Sequence, residues 1–123
     1  MTNATPSIDV LVAGGGMAGL CAGLAAAEAG ARVTVLEKGP APGGSMRMSG
    51  GTVWTAPSMK VMERWAPLGD RARQRTLVEG IDDGLAWLAG HGIPRTFDID
   101  NPRQTGAGID VEVMTAGLVA AIE

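Results

Sequence analysis

Three glycines, Gly14, Gly16 and Gly19, followed by Glu37 eighteen residues beyond the last of them, are the residues best spaced to do chemistry. They lie in the stretch VLVAGGGMAGLCAGLAAAEAGARVTVLEKG, which runs from Val10 to Gly39. The G-x-G-x-x-G spacing strips side chains from a turn where backbone must come close to something. Gly14 lets the chain turn sharply, Gly16 removes a Cβ that would stand between the backbone and a pyrophosphate, and Gly19 lets the next helix pack close to the strand. The first helical residues, Met17 and Ala18, then offer unpaired N–H groups and a partial positive charge to phosphates. Glu37 stands where a carboxylate can accept hydrogen bonds from both hydroxyls of an adenosine ribose. A carboxylate there repels a 2′-phosphate, which argues against NADP and leaves NAD and FAD.

Glycine spacing alone is a weak match, because glycine-rich turns also form where one backbone merely approaches another. The flanking elements favour the dinucleotide reading. Ile8 to Ala13 is a continuous apolar run, as expected of a strand covered on both faces. A small-residue helix follows from Met17 to Ala29 and stops at Gly30. ARVTVLE then reads as a second strand, with Val33, Val35 and Leu36 supplying bulk and Glu37 at its end.

Beyond this β-α-β unit, residues 38–58 read as one long loop, with GPAPGG broken only by a single alanine. Loops of that length are usually functional. Met59 to Trp65 can form a short helix. Leu77, Ile81, Leu85 and Leu88 give helical spacing over Gln74 to Gly90. HGIPRTFDIDNPRQTGAG is rich in turn residues, and Asp110 reads as the N-cap of a last helix through Val111, Met114, Leu118 and Ile122. No third parallel strand is visible. The expected fold is α/β, a Rossmann-like β-α-β unit, incomplete. Residues 1–56 form its core and the long loop, and 57–123 its helical continuation.

Bulk properties narrow the function further. Acids number 13 against 10 bases, with no basic stretch to track a nucleic acid, so nucleic acid is not an expected partner. One cysteine excludes a disulfide framework and a zinc pattern, so no metal is expected and a reduced, cytoplasmic setting fits. MTNATPSID has neither a basic n-region nor an apolar stretch, and no apolar run approaches the ~20 residues of a membrane helix. The 19 glycines, roughly twice average usage, are not periodic and cluster at turns.

GGSMRMSGGTVW, following VLEKGPAP, resembles the N-terminal flavin-binding segment of the fumarate reductase/succinate dehydrogenase flavoprotein family. That family includes soluble fumarate reductases, aspartate oxidases, tricarballylate dehydrogenases and 3-ketosteroid dehydrogenases. The resemblance is strong from Ile8 to Trp54 and general beyond. It implies FAD, with Glu37 and Lys38 meeting the adenosine. It further implies Gly43, Gly44 and Ser45 along the ribityl-pyrophosphate, and Ser49, Gly50 and Gly51 against the isoalloxazine. Family members with covalent flavin carry a histidine six residues before the Gly-Gly pair. Gly44 stands there, so non-covalent FAD is expected. Cys21, in the small-residue helix, reads as a minor hydrophobe rather than an attachment point.

Other conspicuous residues carry ordinary readings. Arg71, Arg73 and Arg75 with Asp70 form a solvated helix start, and His91 sits at a helix end as a dipole partner. Trp54, Trp65 and Trp87 read as packing. Met46 and Met48 either face the flavin edge or fill a gap. Arg47 is the one base near the expected ring, where it would stabilise a reduced, anionic form.

The resemblance implies an oxidoreductase moving hydride to or from a carbon–carbon bond of a small substrate, with catalytic residues outside this stretch and therefore unknown. The remaining partner would be the rest of its own chain beyond residue 123, and the 123 residues alone are expected to be inactive. A non-catalytic nucleotide-binding fragment or remnant, or an NAD-binding Rossmann module, is the alternative. The absence of tyrosine weighs against the ketosteroid branch.

Overall fold

Parallel strands cannot be joined by a tight turn, and the small-residue helix supplies the crossover. In the computed structural model, which describes residues 7–123, β1 (Val10–Ala13) pairs in parallel with β2 (Val33–Leu36) through α1 (Met17–Glu28). The register runs from Val10 opposite Val33 to Ala13 opposite Leu36. Among the described residues the parallel sheet has these two strands. The described residues form two compact units, 7–49 with 111–123, and 50–110.

In the first unit, α1 lies between β2 and α4 (Val111–Ile122). A Cβ on Gly23 would stand 3.1 Å from Val35 Cγ2 and 3.3 Å from Ile122 Cδ1, so only a very small residue fits between sheet and helix. Leu20 and Leu24 of α1 and Met114 and Leu118 of α4 make the core. The strand starts are clamped by Asp9 and Arg32. The Arg32 amide and Nε both reach Asp9 Oδ2, at 2.9 and 2.8 Å, and Nη2 reaches Oδ1 at 2.8 Å. The helix ends at Ala29, and Gly30 follows.

In the second unit, β3 (Thr52–Thr55), β5 (Thr105–Ile109) and β4 (Arg95–Asp100) form an antiparallel sheet in the order β3-β5-β4. It carries α2 (Met59–Trp65) and α3 (Arg71–Gly90). Ala56, Leu85, Leu88, Ile93, Ala107 and Ile109 are its buried core. Ser58 caps α2 by accepting from the Val61 amide, and Asp70 caps α3 by accepting from the Arg73 amide at 2.8 Å. The arginines that follow Asp70 are thus a capped helix start. His91 closes α3 with Nδ1 2.8 Å from the Trp87 carbonyl. Trp54 and Trp65 meet edge to face, with centroids 6.0 Å apart.

Two expectations need correction. Residues 38–58 are not one loop, since Gly44–Met48 forms a 3₁₀ turn and Thr52–Thr55 is strand β3. The turn-rich stretch after His91 is a β-hairpin, so the part expected to be helical carries strands as well. Its glycines are strand residues because neighbours crowd them. A Cβ on Gly108 would overlap the Phe97 ring, and one on Gly106 would overlap the Val53 carbonyl oxygen.

Candidate functional site

The glycine turn sits where β1 delivers the chain to α1. Gly14 has φ +106°, a backbone state that L side chains rarely adopt. Its amide donates to the Leu36 carbonyl at 2.7 Å, so the turn is tied to the end of β2. A Cβ on Gly19 would overlap the Gly14 carbonyl oxygen, which is backbone and cannot swing away. Gly19 is therefore the residue that lets α1 press onto β1.

Gly16 is the N-cap of α1, and no side chain caps the helix there. The first turn also holds no acid, so Met17, Ala18 and Gly19 present amide N–H groups with the positive end of the helix dipole behind them. A Cβ on Gly16 would meet nothing within 4 Å, so open space lies beside the turn. That combination fits an anionic pyrophosphate: free donors, a positive dipole end, and room that a side chain would fill.

Glu37 follows the last residue of β2. Its two carboxylate oxygens are held separately, with Oε2 accepting the Gly15 amide at 2.9 Å and Oε1 the Gly39 amide at 2.7 Å. The Gly39 amide, then the Gly15 amide, lower the pKa of Glu37; desolvation opposes them, and the Lys38 amide and charge add to the lowering. Glu37 is thus a fixed anion at neutral pH. A carboxylate can accept about four hydrogen bonds, so capacity for a ribose hydroxyl remains.

Ala13, Gly14, Leu36, Glu37, Lys38 and Gly44 line one open cleft of about 560 Å³. Gly43 and Gly44 reach this place because loop and turn are joined, with Gly16 and Gly43 forming a bridge and the Gly43 amide donating to the Gly15 carbonyl at 2.7 Å. Gly43 has φ +112°, and a Cβ there would overlap the Arg47 side chain. A Cβ on Gly44 would stand 3.5 Å from the Gly16 Cα. The first unit therefore brings the predicted Gly14, Gly16, Met17, Ala18, Gly19, Glu37, Lys38, Gly43 and Gly44 to one end of the β1-β2 sheet.

Ser45 lies exposed in the 3₁₀ turn, and the Ser49 hydroxyl donates to the Met46 carbonyl at 2.7 Å. Gly50 and Gly51 belong to the second unit, where the Gly51 carbonyl accepts the Ile109 amide at 2.6 Å. Arg47 lines a separate groove with Glu112, Thr115 and Val119 along α4. Cys21 is half-buried, and desolvation raises its thiol pKa, as suits packing rather than nucleophilic attack.

Gly15 is the residue that spacing alone missed. It is buried, its amide serves Glu37 and its carbonyl serves Gly43. A Cβ on it would stand 3.1 Å from Glu37 Oε2 and 3.5 Å from the Pro42 Cβ. As an x of G-x-G-x-x-G it carries no pattern of its own.

No helix among the described residues is long and apolar enough to cross a membrane.

Comparison with known proteins gives the same reading. Residues 9–111 match the FAD binding domain family. The chain is 39% identical over 118 residues to hydroxyneurosporene desaturase of Rhodobacter capsulatus, covering 89% of this chain and 23% of the desaturase. It is 42% identical over 73 residues to 3-oxosteroid 1-dehydrogenase of Mycobacterium tuberculosis, covering 59% of this chain and 13% of the relative. The chain thus spans less than a quarter of the length of either curated relative. Its fold is that of the 3-ketosteroid-delta4-(5alpha)-dehydrogenase of Rhodococcus jostii, solved with 4-androstene-3,17-dione. The TM-score is 0.73 at 22% identity, over 94% of this chain and 35% of that one. Lack of tyrosine does not keep the chain from matching ketosteroid enzymes. The resemblance read from Ile8 to Trp54 is borne out. The chain belongs to the FAD binding domain family, an α/β fold whose cofactor is FAD.

Proposed function

We propose that this chain is the FAD-holding part of an oxidoreductase that dehydrogenates, or in reverse saturates, a carbon–carbon bond of a small substrate. The observation that carries the reading is the cleft where Glu37, Gly14 and Gly44 meet beside the uncapped amide end of α1. Gly14, Gly16, Met17, Ala18 and Gly19 would hold the pyrophosphate, and Glu37 with Lys38 the adenosine. Gly43, Gly44 and Ser45 would follow the ribityl-pyrophosphate, with Ser49, Gly50 and Gly51 at the ring. In this reading residues 1–56 carry the cofactor core and 57–123 continue the same domain. The flavin is bound without a covalent link, since Gly44 stands where a linking histidine would.

Bound FAD supplies a two-electron centre that accepts or gives hydride at N5. The chain's own residues bind and orient it. The uncapped amides neutralise the diphosphate, the Glu37 carboxylate fixes the ribose, and the glycines let backbone approach where side chains would intrude. The names of the relatives, a desaturase and 3-oxosteroid dehydrogenases, favour carbon–carbon dehydrogenation over other flavin chemistry. The test is anaerobic mixing of the intact flavoprotein with a panel holding a saturated 3-oxosteroid, an acyclic polyene precursor and a saturated dicarboxylate. Bleaching of the flavin by one of them, with formation of the matching double bond, is the expected result. Bleaching by reduced nicotinamide alone, with no substrate of the panel reacting in either direction, would contradict it.

A further inference from the structure

We infer that Glu37 is a positioning residue for the pyrophosphate turn as well as a ribose acceptor, and that it acts through the Gly15 backbone. The inference rests on the FAD site proposed above and adds a role that the site reading does not contain.

Two successive peptide units are pinned at Gly15. The unit between Gly14 and Gly15 is held by its N–H, which donates to Glu37 Oε2 at 2.9 Å. The unit between Gly15 and Gly16 is held by its carbonyl, which accepts the Gly43 amide at 2.7 Å. A trans peptide points its N–H opposite to its C=O, so pinning the Gly15 carbonyl onto Gly43 aims the Gly16 N–H away from the loop. The Gly14 amide is fixed in turn by the Leu36 carbonyl at 2.7 Å. Gly14 and Gly43 both carry positive φ, so this stretch has the backbone freedom that such bonds remove. Glu37 supplies the one charged partner in the set, and charge-assisted bonds are about twice as strong as neutral ones. Its second oxygen holds the Gly39 amide at 2.7 Å, which steadies the carboxylate itself. Without Glu37, the Gly15 amide loses its acceptor, and the neutral Gly14–Leu36 bond is left to tie the turn to the end of β2.

The ribose role and the positioning role separate when the ligand lacks ribose hydroxyls. The intact protein, stripped of flavin, is titrated with FAD and with an FAD analogue whose adenosine lacks both the 2′ and 3′ hydroxyls. The expected result is that Glu37→Ala still binds the analogue at least about tenfold more weakly than wild type does. Equal affinity of the two proteins for the analogue overturns the inference and leaves the ribose reading standing. Conversely, a wild type that does not distinguish FAD from the analogue, with Glu37→Ala weaker on both, supports positioning and refutes the ribose contact. Amide hydrogen exchange of the flavin-free protein gives a second readout with no ligand present. The Gly15 amide should exchange at least about tenfold faster in Glu37→Ala and in the bulkier Glu37→Leu than in wild type. Unchanged Gly15 exchange in both variants overturns the inference.

Discussion

The amide of Gly15 donates to Oε2 of Glu37 at 2.9 Å, across 22 residues of chain. This bond joins the turn after β1 to the end of β2, the two places where a dinucleotide-binding unit meets pyrophosphate and ribose. Replacing Glu37 by alanine therefore acts on both. Glu37→Ala should raise the FAD dissociation constant roughly 10- to 100-fold while the protein stays folded. Equilibrium titration of the intact variant checks this, and an unchanged constant would remove Glu37 from the site.

Gly16 and Gly19 should fail in opposite ways. A Cβ at Gly16 meets nothing within 4 Å, so Gly16→Val should fold with near-normal stability yet purify without flavin. At Gly19 the added Cβ overlaps the Gly14 carbonyl, so Gly19→Ala should lose about 1–3 kcal/mol of stability from forced backbone movement. Urea unfolding paired with the flavin-to-protein absorbance ratio distinguishes them. A Gly16→Val protein with full flavin, or a Gly19→Ala protein with unchanged stability, would contradict the drawn geometry.

The β1-α1-β2 unit was legible because each of its elements has a local cause. The apolar run, the glycine spacing, the small helix and the terminal acid are all written in neighbouring residues, and the observed elements fall within two residues of those bounds. The hairpin of β4 and β5 was not legible. TGAGI has no β-branched alternation, and its glycines are set by contacts made at a distance, with the Phe97 ring beside Gly108 and the β3 backbone beside Gly106. Glycine there is a packing residue, whereas local reading takes it for a turn. The part of Gly15 in the site was hidden for a related reason. Its function lies in its amide and carbonyl, which every residue type carries.

Acid should loosen the strand starts, which stay clamped at neutral pH. Arg32, through its side chain and then its amide, lowers the Asp9 pKa to about 2, below the usual carboxylate value near 4. The ionised form is thus favoured in the folded state. Its contribution is fully present above about pH 4 and is lost as pH falls from there through about 2. Glu37, also lowered, adds in the same direction. Asp9→Asn should flatten the fall of the urea midpoint between pH 5 and 2, and added salt should shrink the difference because the pair is exposed. Parallel curves for variant and wild type would show that the clamp does not form in solution.

Cys21 faces packing within α1, and its thiol pKa is raised by burial. Cys21→Ala should leave flavin content unchanged and alter stability by no more than about 1 kcal/mol. Flavin lost together with the thiol would revive a thioether attachment, and mass spectrometry of the denatured wild type reads that directly.

FAD held by this chain without a covalent bond should come free when the protein is denatured. Acid precipitation of the intact protein, with mass analysis of the supernatant, reads this. A yellow supernatant containing FAD, about one per chain, over a colourless pellet is the expected result. Flavin retained in the pellet would contradict the non-covalent site at Gly44. A supernatant holding NAD and no flavin, from protein purified in its native colour, would contradict the assignment of the cleft beside Glu37.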